Sequence, residues 1–200
     1  MLGLLLKDFY NTRKQALWYL AMILIFCVLS VVLENIAFAA TIGVLVTISM
    51  PLSAIAYEEK DSWQKFVIAS GTSSKTIVGE KYILGLLFSL ISSIGYLIVF
   101  FVSGIGTYEI IELILPICLQ FIALAFVLPI IFKFGVEKGR VYMIVIALAL
   151  MAVFIGLMPL LGNVMISGQT IIIICAICAT ILFSILSYII SIKIYSKKEF

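Results

Sequence analysis

Apolar positions run almost without a break along this 200-residue chain, and charge interrupts them at only a few places. Residues 15–33, 35–57, 82–108, 113–132 and 141–192 contain no Asp, Glu, Lys or Arg. An α-helix needs about 20 apolar residues to cross the ~30 Å hydrocarbon core of a bilayer. The first four runs therefore predict one crossing each, at 16–33, 36–57, 82–107 and 113–132. The last run is long enough for two, at 141–158 and 170–192, divided where Pro, Gly, Asn and Ser gather between Pro159 and Thr170. No segment alternates polar and apolar positions as a barrel strand does, so the crossings are expected to be helices. The expected fold class is all-α: one polytopic membrane domain over 1–200 with six transmembrane helices.

The first 14 residues follow a different pattern. Leu2, Leu5, Leu6 and Phe9 repeat at helical spacing, and Lys7, Asn11 and Lys14 fall off that stripe. The spacing predicts an amphipathic helix over 1–14 lying in the membrane interface, either as an anchor or as an elbow that moves with the first span. Arg13 and Lys14 before an apolar run, with Ala37-Phe38-Ala39 after it, imitate a cleavable signal peptide. The run is longer than the usual 7–15 residues of such a segment, and another span follows almost at once.

Composition agrees with the pattern. Hydrophobic residues make up 64% of the chain and charged residues 12%, against about 45–50% and about 25% in soluble domains; the mean hydropathy is +1.31. A soluble enzyme, a disordered tail and a secreted disulfide scaffold are excluded. The net charge of +3, without Arg-rich runs, argues against a nucleic-acid partner. Histidine is absent, so no His-ligated metal and no Ser-His-Asp triad is available. Cys27, Cys118, Cys175 and Cys178 all lie in apolar runs, which reads as packing. The placement of charge says more than its amount. Every Lys and Arg falls in one of four places: the first 14 residues, 60–81, 133–140 or 193–198. The other three connections hold only Glu34, Glu109 and Glu112. The positive-inside rule then places both termini in the cytoplasm of a multi-pass chain in the cytoplasmic membrane, with the lipid bilayer as a partner.

Segment 58–81 is the richest in chemistry. Its charged residues are Glu58, Glu59, Lys60, Asp61, Lys65, Lys75, Glu80 and Lys81. Asp61 or Ser62 is placed to cap a short helix that puts Trp63, Phe66 and Val67 on one face, with Gly71 ending it. Ser73 or Ser74 is placed to cap a second helix carrying Lys75, Ile77, Val78, Glu80 and Lys81 into the third span. Such a segment is either a solvated loop with a membrane-dipping helix or a docking surface for a cytoplasmic protein. Exposed aromatic residues among charges favour docking. Gly71-Thr-Ser-Ser-Lys75-Thr76 is not a P-loop, because the second Gly is missing and the Lys comes too early. Glu58-Glu59 imitates the paired Glu of CAAX-type membrane proteases, but the histidines these need are absent. No charge is expected at a membrane centre, where one would mark an ion or proton path. Gly85, Ser89 and Ser93 form a small-residue stripe suited to close helix packing, and Pro51, Pro116 and Pro129 are expected to kink their helices.

The layout resembles the permease subunits of bacterial ABC exporters of the type-two class, in particular the short permeases tied to export of, or immunity to, peptides such as bacteriocins and phenol-soluble modulins. The residues carrying the resemblance are Tyr57-Glu58-Glu59-Lys60, Trp63-x-x-Phe66, and Ser73-Ser74-Lys75-x-Ile77-Val78-x-x-Lys81-Tyr82. It implies that residues 62–69 form a coupling helix in a cleft of a separate ATPase subunit, with Trp63 and Phe66 as anchors. Glu58, Glu59, Lys60, Ser62 and Lys65 would contact that subunit, with Ser74, Lys75, Glu80 and Lys81 on a second loop helix behind. It implies that this chain is not itself an enzyme and binds no cofactor; ATP and Mg would sit in the partner, a cytoplasmic ABC ATPase dimer. A second permease chain, identical or homologous, would complete a path for a peptide or another amphipathic or lipophilic substrate. Larger relatives carry re-entrant helices between spans five and six, where Pro159–Thr170 has room for a short one at most. Two other functions fit the layout: a non-transporting membrane immunity or scaffold protein, and the six-span substrate-binding subunit of a vitamin importer.

Overall fold

The computed structural model describes residues 2–60, 63, 66–67, 71–102, 110–161 and 166–197; for Leu2, 147, 150–151, 154–155, 157–161 and 166–170 it describes the backbone only. They form five long helices: α1 (Leu2–Val32), α2 (Ala37–Lys60), α3 (Ser74–Val102), α4 (Ile110–Leu161) and α5 (Ile166–Ser196). Five helices among the described residues are long and apolar enough to cross a membrane.

The boundaries differ from expectation in two places. Helix α1 is unbroken, so the expected interfacial helix and first span are one element. The physical reason lies in the residues: positions 4–32 contain no Gly or Pro to end a helix. At 1.5 Å per residue its 31 residues reach about 46 Å, well past the hydrocarbon core. The second difference concerns α4, whose 52 residues contain both the expected 113–132 and 141–158 spans. It breaks at Gly135, with φ 80° and ψ 175°, a conformation only glycine adopts readily. Residues eight apart in a straight helix stand about 12 Å apart along the axis. Here a Cβ on Gly139 would meet Ile131 Cγ1 at 3.0 Å, and the rings of Phe134 and Tyr142 come to 5.5 Å between centroids. The chain therefore folds back at Gly135 into two limbs. The expected loop at 159–170 shrinks as well, since α4 continues to Leu161 and α5 begins at Ile166.

Local chemistry sets the turns. Glu34 closes α1 with φ 52°, and Asn35 N–H donates to the Ser30 carbonyl at 3.0 Å, the six-to-one bond of a Schellman turn. The Asn35 side chain then accepts from Ala37 N–H at the start of α2. Gly71 carries φ 79°, and Thr72 N–H reaches back to the Val67 carbonyl. Ser73, rather than Ser74, caps α3: its Oγ accepts from Thr76 N–H at 3.3 Å.

Helix α2 is the centre of the molecule. In its most apolar stretch 72% of the residues are buried, against 17% in α1 and 11% in α5. Ile48, Leu52 and Ile55 of α2 pack with Val78 of α3 and with Leu124, Leu128 and Ile131 of α4. Gly85 makes this possible, because a Cβ there would meet Leu124 at 2.5 Å and Pro51 at 3.1 Å. Ser92 and Ser93 turn to the buried Gln120, at 2.9 and 3.4 Å. The Gly85, Ser89, Ser93 stripe thus faces neighbours in the same chain.

Candidate functional site

Three helix ends meet at one place. The first turns of α1 bring Asp8, the last turn of α2 brings Glu58, and the first turns of α3 bring Glu80 and Lys81. None of the four is more than 4% exposed. Lys81 Nζ donates to Asp8 Oδ2 and, at 2.8 Å, to Glu58 Oε1, and it stands 3.6 Å from Glu80 Oε1. Lys7 closes the network from outside, pairing with Glu58 and lying 3.1 Å from Asp8 Oδ1. A buried charge costs several kcal/mol unless it is paired and hydrogen-bonded; Lys81 meets that need for Asp8 and Glu58, whereas neither Glu80 oxygen has a hydrogen-bond partner among the described residues. Asp8, Glu58 and Glu80 set one oxygen each within 4.8 Å of the others, a spacing that suits a metal ion. The Lys81 ammonium stands among those oxygens, so the cation there is the protein's own.

The network lies directly behind the 58–81 segment. Trp63 is half-buried against the main core, with the Lys7 ammonium 4.8 Å from its ring centroid. Phe66 is 63% exposed, its centroid 5.1 Å from that of Trp63, and Val67 is buried. Glu59 points to the break in α4, where its Oε2 accepts the Val136 N–H at 3.1 Å. It caps the second limb of α4 much as an N-cap carboxylate would.

This arrangement corrects several sequence expectations. Glu58 was expected at a surface facing another protein and is buried instead, paired with Lys7 of α1; Glu80 and Lys81, expected on a second loop helix, lie on α3 and are buried beside Asp8 of α1. Glu59 is engaged by the α4 turn. Of the two expected anchors, Phe66 is well exposed and Trp63 is half-buried. Lys60 and Lys75 are exposed, and Ser74 is the first residue of α3. Ser62, Lys65 and Asp61 lie outside the described residues. Tyr82 is buried and hydrogen-bonded to Ser187 and Ser191 of α5. Sequence reasoning missed Asp8 altogether. The available signal was a lone acid opposite the Leu stripe of the first helix, on the membrane side where a Lys abuts the apolar run at 82.

The comparison with protein families adds what geometry alone does not. The model described as "ABC-2 family transporter protein" matches residues 3–196. The chain belongs to the ABC-2 transporter family. Comparison with curated proteins and with solved structures gives no match. As an ABC-2 chain it is a membrane-embedded permease subunit of an ABC transporter, and the family implies a partner ATPase. The 58–81 segment is gripped at both stems, by Glu58 and Glu59 before it and by Glu80 and Lys81 after it. These contacts tie the two stems of the segment to α1, α2, α3 and α4.

Proposed function

We propose that this permease serves an ATP-driven exporter of a peptide or another amphipathic substrate, and that the 58–81 segment is where the ATPase drives it. In this reading residues 62–69 are the coupling helix, and Phe66 enters the ATPase cleft. Trp63 anchors the helix to the permease core, and Lys60 and Lys75 supply polar contacts. The second limb of α4 crosses the membrane over 141–158, making six crossings with both termini in the cytoplasm. Residues 1–14 lie at the inner interface. ATP and Mg belong to the ATPase dimer, this chain catalyses no reaction, and a second permease chain completes the path.

The buried network behind an exposed aromatic residue is the observation that carries this reading. A loop meant only to connect two spans needs no four-helix grip, whereas a loop that receives force does. The confinement of every Lys and Arg to four segments supports the orientation. Co-purification with the cognate ATPase tests the proposal. Phe66→Asp should abolish retention of the ATPase and transport while the permease elutes as a folded, monodisperse species. Trp63→Asp should do so with loss of thermal stability as well. Retention of both ATPase and transport in both variants would refute the coupling assignment.

A further inference from the structure

A groove of about 680 Å3 runs along the outside of the molecule between α1 and α3. Leu17 and Leu20 line it from α1 and Leu84, Leu87 and Ile91 from α3; among its lining residues only Arg13 is not apolar. Both helices are candidate membrane spans. Helix α1 ends at Val32, and at about 1.5 Å per residue Arg13 lies about 29 Å back along it, which is the thickness of the hydrocarbon core. Arg13 therefore stands at the depth of lipid phosphates, while Leu20 and Ile91 reach toward the acyl chains.

Charge decides what kind of molecule fits. Arg13 is exposed and makes no ion pair among the described residues. Lys14 beside it is exposed too and lines a second hollow with Trp18. The acids nearest in sequence on these helices, Asp8 and Glu80, are turned inward to Lys81. Arg13 thus places one positive charge part-way along an otherwise apolar groove, with Leu5, Leu6 and Phe9 on the side toward the helix start and Leu17 and Leu20 on the other. A second copy of the chain would bring no acid from this face to meet Arg13. A planar guanidinium is well matched to two phosphate oxygens.

We propose that this groove binds an anionic phospholipid, with an acyl chain against Leu20, Leu87 and Ile91 and the phosphate on the Arg13 guanidinium. The inference needs only that the chain is membrane-embedded, so it stands apart from the coupling assignment.

Native mass spectrometry of the full chain with equimolar phosphatidylglycerol and phosphatidylcholine of matched chains is the test. The wild-type protein should retain phosphatidylglycerol in preference. Arg13→Gln should reduce that preference about fivefold, the effect of one basic residue at an anionic surface, and Arg13→Lys should keep most of it. Leu87→Trp fills the apolar limb without touching the cation and should lose both lipids while the protein remains monodisperse. Equal retention of the two lipids by wild-type protein, or full preference in Arg13→Gln, overturns the proposal. So does efficient Leu87→Cys cross-linking between two chains with no lipid retained, which would make the groove an interface between copies.

Discussion

Lys81 is the residue on which most depends. It sits fully buried, with Asp8, Glu58 and Glu80 around it. Removing one partner of a buried ion pair strands the other, at a cost of about 3–5 kcal/mol. Lys81→Met should therefore lower the thermal stability of the purified permease by that amount. An unchanged melting temperature would show that water reaches the site. Asp8→Asn combined with Lys81→Met should be less harmful than the sum of the singles, with a coupling of about 1–3 kcal/mol in a double-mutant cycle. Additivity would mean that the two side chains do not interact. Little of this was legible in the chain. Asp8 and Lys81 are 73 positions apart and Glu58 and Lys81 are 23 apart, and linear spacing carries no signal for such partners. What could be read was residue type: acids and lysines abutting apolar runs on one side of the membrane. Their mutual burial could not be read, because each charge alone looks like a solvated helix end.

At the scale of elements, short-range chemistry was readable and long-range chemistry was not. A cap at Ser73 and a positive φ at Gly71 are local properties, and the structure has both. Gly135 escaped notice because the residues around it are helical on both sides and its capping carboxylate, Glu59, comes from another helix. Gly135→Ala should cost about 1–3 kcal/mol, the usual strain of a glycine-only conformation, seen as a lower melting temperature. Glu34→Gly should act in the opposite direction, because a non-glycine residue in the left-handed region costs about 1–2 kcal/mol. If Glu34→Gly destabilises instead, the Glu34 side chain contributes more than its backbone costs. The unbroken α1 makes the same point from the other side. An amphipathic segment and an apolar segment were both legible, but no residue between them separates them.

For the whole molecule, the arrangement puts α2 at the centre and leaves α1 and α5 facing outward. The small residue Gly85 lets α3 close on Leu124 of α4 and Pro51 of α2. Gly85→Val should open that junction and destabilise the fold by about 1–3 kcal/mol; normal stability would mean that Leu124 can swing away at no cost. Orientation belongs to this scale too. In a cysteine-free background, Lys75→Cys and Lys138→Cys should react with a membrane-impermeant maleimide only in inside-out vesicles, and Glu34→Cys only in right-side-out cells. The reverse pattern would invert the topology and remove the 58–81 segment from reach of any cytoplasmic ATPase.

Hydropathy by itself determined that the chain is helical and membrane-embedded. The length of an apolar run is a one-dimensional quantity, and the bilayer imposes a single length scale on it. Positive charge confined to alternate connections set an expected orientation by the same kind of linear accounting. Tertiary structure alone decided which charges the 58–81 segment offers outward and which it spends inward. Burial is a property of what lies on the far side of a residue, and for Glu58, Glu80 and Lys81 the far side is α1. It also decided that Trp63 faces the core while Phe66 faces out, and that Glu59 caps the returning limb of α4. These assignments depend on the position of a third helix, which a helical period cannot encode.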